Sequence, residues 1–232
     1  MSAQHPHMKT WRRAFVRAPW LASVCLAAAC QGPQPTTDIA RAIVERDDAT
    51  LQALLKAGGS PEAGEPRPII WAARSNNASA IRLLAAAGAD VNRPDGGNGW
   101  TPLQHAVHKR ASKAVEVLLK VGADPNQGSA HSPSALMMAA GYGDRESFDL
   151  LIKGGANAAF EVQPGINALW AALGGGAIAD ITDGPSLGAC FPDIVAAVRK
   201  HAPTLRIQRG LETRALRFLA KKGCADLIEA SL

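Results

Sequence analysis

The amino-acid sequence predicts an all-α solenoid of about six helix-turn-helix repeats, on the strength of three observations. The leading apolar residues of successive segments, Ile69, Leu103, Leu136 and Leu169, are separated by 34, 33 and 33 residues. Alanine pairs such as Ala72-Ala73 recur in the first half of the segments, and leucine pairs such as Leu118-Leu119 recur in the second half, shortly before a glycine. In such arrays no unit buries its apolar face alone, so the stack is the folding entity.

Each part of the repeat has a physical reason. Alanine pairs allow the first helix to pack closely on its neighbours, and leucine pairs such as Leu83-Leu84 line the buried stripe of the second helix. We expect Thr101 to cap the first helix of the third repeat. Pro102 fits the first turn, where its missing N–H is no loss. Glycine is the least strained residue at the left-handed ends of the second helices, at Gly88, Gly122 and Gly155.

The clearest unit, from Gly99 to Asn126, reads GWTPLQHAVHKRASKAVEVLLKVGADPN. It resembles the ankyrin repeat, with its T-P-L-H-x-A opening and G-A-D-x-N close, and only Gln104 departs from the opening tetrapeptide. The same frame recurs over 67–92, 134–157 and 167–176. The resemblance implies that each repeat is a helix, a turn and a second helix, followed by a hairpin-like loop.

The predicted ankyrin domain covers 38–232, with divergent capping repeats at both ends. One spacing is longer than the others: 47 residues separate Leu169 from Leu216. This difference places an insert at about 173–190, between the two helices of the fifth repeat. Its glycine-rich composition predicts a loop. Such loops are common binding sites in repeat arrays, and a neutral insertion is the alternative.

Residues 1–29 have the proportions of a secretory signal peptide: four basic residues and no acid, then about a dozen apolar residues from Ala18 to Ala29. This apolar stretch is too short to span a bilayer comfortably. The small residues 26–29 before Cys30 resemble the lipobox of bacterial lipoproteins. The resemblance implies lipidation of Cys30 and a short tether over 30–37. An ordinary cleaved signal with a chance cysteine is the alternative.

The resemblance to lipoproteins also gives an expected location. Gln31 after the cysteine resembles the outer-membrane sorting pattern of Gram-negative lipoproteins, which implies a lipid anchor in the outer membrane and a chain that faces the periplasm. Loss of the signal lowers the basic residues from 25 to 21, against 20 acidic residues, so the basic pI belongs largely to the signal. We therefore expect no nucleic-acid partner, and we expect a monomer.

Export leaves two thiols, Cys190 and Cys224, in an oxidising compartment. Aligned on the repeat frame, Cys190 precedes the second helix of the fifth repeat and Cys224 begins the next second helix. They are candidates for one disulfide that pins the insert to the terminal repeat. Two free buried thiols are the alternative.

The sequence favours recognition over catalysis. It contains no Gly-x-Ser-x-Gly elbow, His-Glu-x-x-His motif, Walker loop or Cys-x-x-Cys pair. We therefore expect no enzymatic activity, no small-molecule substrate and no cofactor. His105, His108 and His131 lie in the third and fourth repeats, but no carboxylate or thiolate stands at metal-ligand spacing, so we expect no metal site.

The resemblance to ankyrin repeats implies protein binding through a concave surface, made of the loop tips and the exposed side of the first helices. The positions that match this surface are Arg74, Trp100, His108, Lys109, Tyr142, Lys221 and Lys222. An exposed tryptophan, the only tyrosine and several cations have the composition of a binding hot spot. The alternative is that Trp100 packs between adjacent loops.

Two classes of function remain. The first is a lipid-anchored module that binds a protein partner in the envelope, as an inhibitor or immunity protein of an exported toxic enzyme or as a scaffold. The second is an envelope structural or stress-response lipoprotein without a dedicated client.

Replacement of Cys30 by serine tests the lipid anchor. A thioether linkage needs the thiol, so Cys30→Ser is expected to abolish labelling of the chain by a clickable fatty acid in a bacterial host. In-gel fluorescence of the labelled chain is the measurement. Unchanged labelling would contradict lipidation at this residue.

Overall fold

A computed structural model describes residues 35–127, 132–174, 190–207, 225–229 and 231, all within the compact unit Pro35–Leu232. The described helices are α1 Asp38–Glu45, α2 Asp48–Lys56, α3 Pro68–Arg74, α4 Ala78–Ala86, α5 Pro102–His108, α6 Ser112–Lys120, α7 Ala135–Tyr142, α8 Arg145–Lys153, α9 Ala168–Gly174, α10 Pro192–His201 and α11 Ala225–Glu229. Two short strands, β1 Glu161–Gln163 and β2 Ile166–Asn167, precede α9. In this described part of the chain, no helix combines the length and the apolar character that a membrane span requires.

The helices form two layers that extend from repeat to repeat. The first helices α1, α3, α5, α7 and α9 pack on one another in that order, and the second helices α2, α4, α6 and α8 form the other layer. Each first helix also packs on the second helix of its own repeat, from α1 with α2 to α9 with α10. This arrangement confirms the predicted fold class.

Small residues and leucines form the core between the layers, as the pattern predicts. Ala72, Ala73 and Ala106 are completely buried, so neighbouring first helices come close together. The two members of a leucine pair are buried to different extents: Leu84 is completely buried, whereas Leu83 is half-buried and packs against the core. Burial of these residues requires the neighbouring repeat, which explains why the stack folds as a unit.

Helix α5 begins with a reciprocal cap. The Thr101 hydroxyl accepts from the Gln104 amide at 3.2 Å, and the Gln104 side-chain oxygen accepts from the Thr101 amide at 2.8 Å. The predicted roles of Thr101 and Pro102 are thus confirmed. Gln104 also donates from Nε2 to the Pro133 carbonyl at 2.8 Å. The residue that departs from the opening tetrapeptide therefore completes the cap and ties the third repeat to the fourth.

Arg67 precedes α3 at the position that Thr101 holds before α5. It is buried, and its guanidinium donates to the Glu62 carboxylate at 3.2 Å and to the carbonyls of Asp90 and Pro94 at 3.3 and 3.2 Å. A buried guanidinium is stable only when its donors are satisfied. Arg67 thus fastens two successive loops to the start of α3, a role that the repeat pattern does not predict.

Asparagines at the close of the repeats connect the hairpin loops. Asn92 donates to the Gly122 carbonyl at 3.1 Å and accepts from the Asp124 amide at 2.8 Å. Asn126 makes the same two bonds with the following loop, at 3.0 and 2.7 Å. The expected left-handed glycines are confirmed, since Gly122 has a φ of 98° and the equivalent glycines have φ of 91° and 90°. These hydrogen bonds therefore fix the position of each loop relative to the next one.

The fifth repeat departs from a purely helical pattern. Its loop forms a short antiparallel ladder, in which Glu161 pairs with Asn167. Helix α9 continues to Gly174, so the first two residues of the predicted insert belong to a helix. Residues 175–189 lie outside the described part of the chain. Beyond these residues, the Phe191 amide donates to the Ala172 carbonyl at 3.0 Å. This hydrogen bond brings the end of α9 close to the start of α10.

Gly143 ends α7 and permits a close contact with this junction. It has a φ of 67°, and a Cβ atom built on it would lie 2.2 Å from the Phe191 ring. No side chain fits at that distance. The Phe191 ring therefore packs directly over the end of α7.

Substitution of Gly143 tests this contact. Gly143→Ala is expected to lower the free energy of unfolding by about 1–3 kcal/mol more than Gly122→Ala, because both strain the backbone but only the former drives a methyl group into a ring. Chemical denaturation is the measurement. The difference is expected to shrink in a Phe191→Ala background. Equal losses in the parental chain would refute the contact.

Candidate functional site

Four rings form a continuous row across the third and fourth repeats, and we call Trp100, His105, His108 and Tyr142 the aromatic row. The ring centres of Trp100 lie 5.5 Å from His105 and 5.1 Å from His108, the second contact being edge-on. The rings of His108 and Tyr142 are 5.8 Å apart. These separations are favourable for ring packing. The row therefore joins residues that are far apart in the sequence.

Local structure explains how the row is assembled. His105 and His108 are three residues apart on α5, so they share one face of the helix. Trp100 directly precedes the cap of α5. Its amide donates to the Asn98 side chain at 3.0 Å, and its carbonyl accepts from the Asp95 amide at 2.9 Å. This tight loop turns Trp100 back over α5.

Asp95 fastens the loop to the helix. Its Oδ2 lies 2.6 Å from Nε2 of His105, and the two side chains are only 10% and 4% exposed. Oδ1 also accepts from the amides of Gly97 and Asn98 at 3.0 and 2.9 Å. The charged carboxylate is only an acceptor, so Nε2 of His105 carries the hydrogen. Asp95 is not among the site residues that the sequence predicts, since its histidine partner is ten residues away and no spacing indicates the pair.

The two partners of this pair titrate in an environment that favours the neutral histidine. Burial is the main cause that lowers the pKa of His105 below its ordinary value; Asp95 opposes this effect, and the positive charge of Arg74 adds to it. Burial alone would raise the pKa of Asp95, but the amide of Asn98 and the interaction with His105 outweigh it, so this pKa is lowered. A neutral imidazole that donates to a carboxylate is the resulting state.

The predicted binding residues on these helices occupy different environments. Lys109 is exposed, whereas Arg74, Trp100 and His108 are half-buried. Trp100 lies on the two histidine rings of its own repeat, so it is less open than expected. Tyr142 is buried, with 7% of its surface exposed. Its hydroxyl lies at hydrogen-bond distance, 2.7 Å, from Nδ1 of His108, which draws the ring toward the preceding repeat.

Three cations border the aromatic row, and we call Arg74, Lys109 and Arg110 the cationic rim. Arg110 is exposed, and its guanidinium donates to the carbonyl of Tyr142, across the boundary between repeats. Arg110 is not among the predicted site residues, because it occupies a left-handed position, with a φ of 52°, that aligns with Gly143 of the next repeat. Arginine is uncommon in that conformation.

Other predicted residues cannot be placed in this arrangement. Cys30, His131, Lys221, Lys222 and Cys224 lie outside the described residues. Cys190 is half-buried and directly precedes Phe191, at the junction of the fifth repeat. Among the described residues, no group of three or more histidine, cysteine or acidic side chains is arranged to hold a metal ion.

The row and the rim combine the elements of a protein-recognition surface. Within the aromatic row, the half-buried Trp100 and His108 offer a rigid surface with few rotatable bonds over the buried His105 and Tyr142, and the cationic rim offers charged donors beside it. Hydrogen bonds at Asp95, Tyr142 and the cap of α5 hold both in place. This arrangement suits contact with another chain.

Comparisons with known proteins agree with the architecture. A family model described as ankyrin repeats in three copies matches residues 27–129. The crystal structure of the human ASB11 ankyrin repeat domain matches with a TM-score of 0.57 and 21% sequence identity, over 71% of this chain and 68% of that one. The chain therefore has the ankyrin-repeat fold.

Curated relatives share the repeats within longer proteins. The mitochondrial disaggregase of Bos taurus is 35% identical over 117 residues, which are 45% of this chain and 17% of that protein. Zygote-specific protein 3 of Chlamydomonas reinhardtii is 32% identical over 148 residues, 61% of this chain and 38% of that protein. This chain thus spans well under half of either relative.

The environment of His105 predicts a pH dependence. Its pKa is lower in the folded chain than in the unfolded chain, so the unfolded state binds the proton more readily. Stability is therefore complete above about pH 6.5, the ordinary pKa of histidine, and falls as the pH drops below it. We expect the melting temperature to fall less between pH 7.5 and 5.5 in His105→Gln than in the parental chain.

The glutamine variant keeps an uncharged donor for Asp95, so the comparison isolates the effect of protonating His105. His201→Gln is the matched control, because it makes the same chemical change at an exposed histidine at the end of α10, away from this loop. Differential scanning calorimetry measures all three chains. An identical pH dependence in His105→Gln and the parental chain would disprove the assignment.

Proposed function

We propose that this chain, whose repeats have the ankyrin fold, is a non-enzymatic module that binds a protein partner and is held by a lipid anchor in the bacterial envelope. Ankyrin repeats generally mediate protein–protein interaction. The observation that carries the proposal is the aromatic row with its cationic rim, on one side of the first helices. We call that side of α5 and α7 the first-helix face.

The first-helix face is prepared for binding before a partner arrives. Trp100 is held by two backbone hydrogen bonds and two ring contacts. Residues that are already ordered lose little conformational entropy on binding. The half-buried Trp100 supplies apolar contact area, while Lys109 supplies a charge at the edge. Tryptophan and arginine are among the residues that most often dominate binding energy.

The relatives that carry enzyme names match this chain over only a small part of their own length, which agrees with the proposed absence of catalysis. The mitochondrial disaggregase matches this chain over only 17% of its own length. A murine 2-5A-dependent ribonuclease matches over 10% of its length, again within ankyrin repeats. The activities in those names belong to longer proteins. The shared segment is an interaction module.

The lipid anchor and the envelope location rest on the amino-terminal sequence. A basic stretch, a short apolar stretch and small residues before Cys30 support lipidation of this cysteine, and Gln31 supports the outer membrane with the chain facing the periplasm. An anchored module with a rigid binding face suits an inhibitor or immunity protein for an exported enzyme, or a scaffold. A structural or stress-response role without a dedicated client is the other outcome of the test.

A disulfide between Cys190 and Cys224 forms part of the proposal. It is supported by the position of Cys190, which is half-buried at the junction of the fifth repeat. Cys224 is the expected partner, since lipidation occupies Cys30 and the signal peptide removes Cys25. The bond would link the junction of the fifth repeat to the terminal repeat.

Capture from an envelope extract tests the proposed function. The lipid-anchored chain, solubilised in detergent, is expected to capture one protein in a one-to-one complex. We expect Trp100→Ala and Lys109→Glu to weaken this complex at least about tenfold, or 1.4 kcal/mol. Mass spectrometry identifies the partner, and calorimetric titration of the recovered partner measures the affinity.

Lys113→Glu is the matched control, because Lys113 is exposed on the second helix α6, away from the first-helix face. It makes the same charge change and should leave the affinity unchanged. Recovery of no protein above background would favour the structural role. Equal weakening by Lys109→Glu and Lys113→Glu would rule out the first-helix face as the binding surface.

A further inference from the structure

We infer that the partner binds through an extended, acidic segment, and that one carboxylate of this segment pairs with Arg74 on α3. The inference rests on the proposed function and deepens it, since it names the chemistry of the partner at the cationic rim. Three features of the described residues support it: the alignment of α3 with α5, the environment of Arg74, and the distribution of charge over the first helices.

Helix α3 continues the surface that α5 presents. Trp71 and Arg74 hold the positions in α3 that His105 and His108 hold in α5, 34 residues later in the chain. The two helices pack on each other. Trp71 and Arg74 are three residues apart, so they share one face of α3, and both are half-buried. The aromatic row is therefore followed, one helix further, by a tryptophan and an arginine.

Arg74 is a half-buried cation that lies near the aromatic row. Burial is the main cause of the lowered pKa of His105, and the charge of Arg74 adds to it, which places the two side chains near each other. The ion pairs within the described residues all involve other side chains, so Arg74 has no carboxylate partner in this part of the chain. A guanidinium binds a carboxylate through two parallel donors, and partial burial strengthens such a pair. Arg74 is thus suited to a carboxylate that another chain supplies.

The cationic rim lies on helices that carry no acid of their own. Neither α3 nor α5 contains an acidic residue. Asp95, which packs against α5, is turned toward the buried histidine and is only 10% exposed. The second helices carry both signs of charge, since Glu116 pairs with Lys120 at 2.6 Å on α6 and Arg145 pairs with Asp149 at 2.9 Å on α8. An acidic segment is therefore attracted to the first helices and not to the opposite layer.

Equivalent positions on the neighbouring helices define the extent of this surface. Val44, Arg74, His108 and Gly141 each lie two residues before the left-handed residue that follows their helix. Among the described residues, Val44 is the one large hydrophobic side chain that is exposed, at 44%. Gly141 on α7 is buried. The accessible surface thus extends from an apolar position on α1, over the cation on α3, to His108 and Lys109 on α5.

The spacing of the helices determines the spacing of the partner's residues. Neighbouring helices are separated by about 8–10 Å. A segment in the polyproline II conformation has three residues per turn, so every third residue lies on the same side, about 9 Å further along. A segment of this kind that crosses the first helices places one residue over each helix. We expect an acidic residue over Lys109, a second acidic residue over Arg74 and an apolar residue over Val44.

Selection from a library of random peptides displayed on phage tests the inference. The full chain in detergent is the bait, and passage over the Arg74→Glu chain removes the peptides that do not depend on Arg74. We expect the remaining peptides to be enriched in aspartate and glutamate, with acidic residues three positions apart. Recovery of no peptides that depend on Arg74, or of peptides without an excess of acidic residues, would overturn the inference.

Fluorescence anisotropy with the most enriched peptide measures the contribution of Arg74. We expect Arg74→Glu to weaken binding at least about tenfold, because it replaces attraction by repulsion in a half-buried pair. Arg74→Lys is expected to cause a smaller loss, since it keeps the charge but not the paired donors. Arg82→Glu is the matched control, because it makes the same change at an exposed position on α4, in the same repeat. Circular dichroism checks that each chain folds, and Arg74→Gln replaces Arg74→Glu if the charge reversal unfolds the chain.

Two results of this titration would contradict the inference. One is equal weakening by the substitutions at Arg74 and Arg82. The other is tighter binding of a single-stranded oligonucleotide than of the acidic peptide, since nucleic acid is the other anionic polymer that a cationic surface attracts. Neither measurement uses the envelope partner. A captured partner that depends on Trp100, together with failed peptide selection, would remove the acidic segment and leave the proposed function intact.

Discussion

The structure depends on one constraint: no repeat has enough apolar surface of its own to form a core. Ala72 and Ala106 are completely buried only because the helix of the next repeat lies against them. Small side chains at these positions allow that close approach, and larger ones would separate the layers. Every functional position is therefore fixed by the stack and not by its own repeat.

This constraint explains why recognition chemistry is found between repeats. His108 of the third repeat meets Tyr142 of the fourth, and Arg110 donates to the backbone of that same residue. Such pairs exist only when the register between repeats is correct. The hydrogen bonds of Asn92 and Gln104, which cross repeat boundaries, maintain the register. Packing, polar links and the candidate site are thus parts of one arrangement.

The periodic part of the fold can be read from the sequence because each periodic residue meets a local demand. Thr101 caps α5 by accepting from the amide three residues ahead, and Gly122 takes a left-handed turn, so both roles follow from near neighbours. The candidate site is different. The burial of Tyr142 and the role of Arg110 depend on residues more than thirty positions away, which one repeat's pattern does not specify. The Asp95 pair lies outside the periodic positions altogether.

The bond between the Phe191 amide and the Ala172 carbonyl has a consequence for evolution. It holds Phe191 beside Ala172, so the two helices of the fifth repeat stay joined in the stack at this point. The entropy of closing such a loop grows slowly, by about 0.6 kcal/mol for each doubling of length. By this entropy alone, a longer or shorter connection between Ala172 and Phe191 changes the free energy of folding little. The length of the connection can therefore vary in evolution while its two ends keep their place in the array.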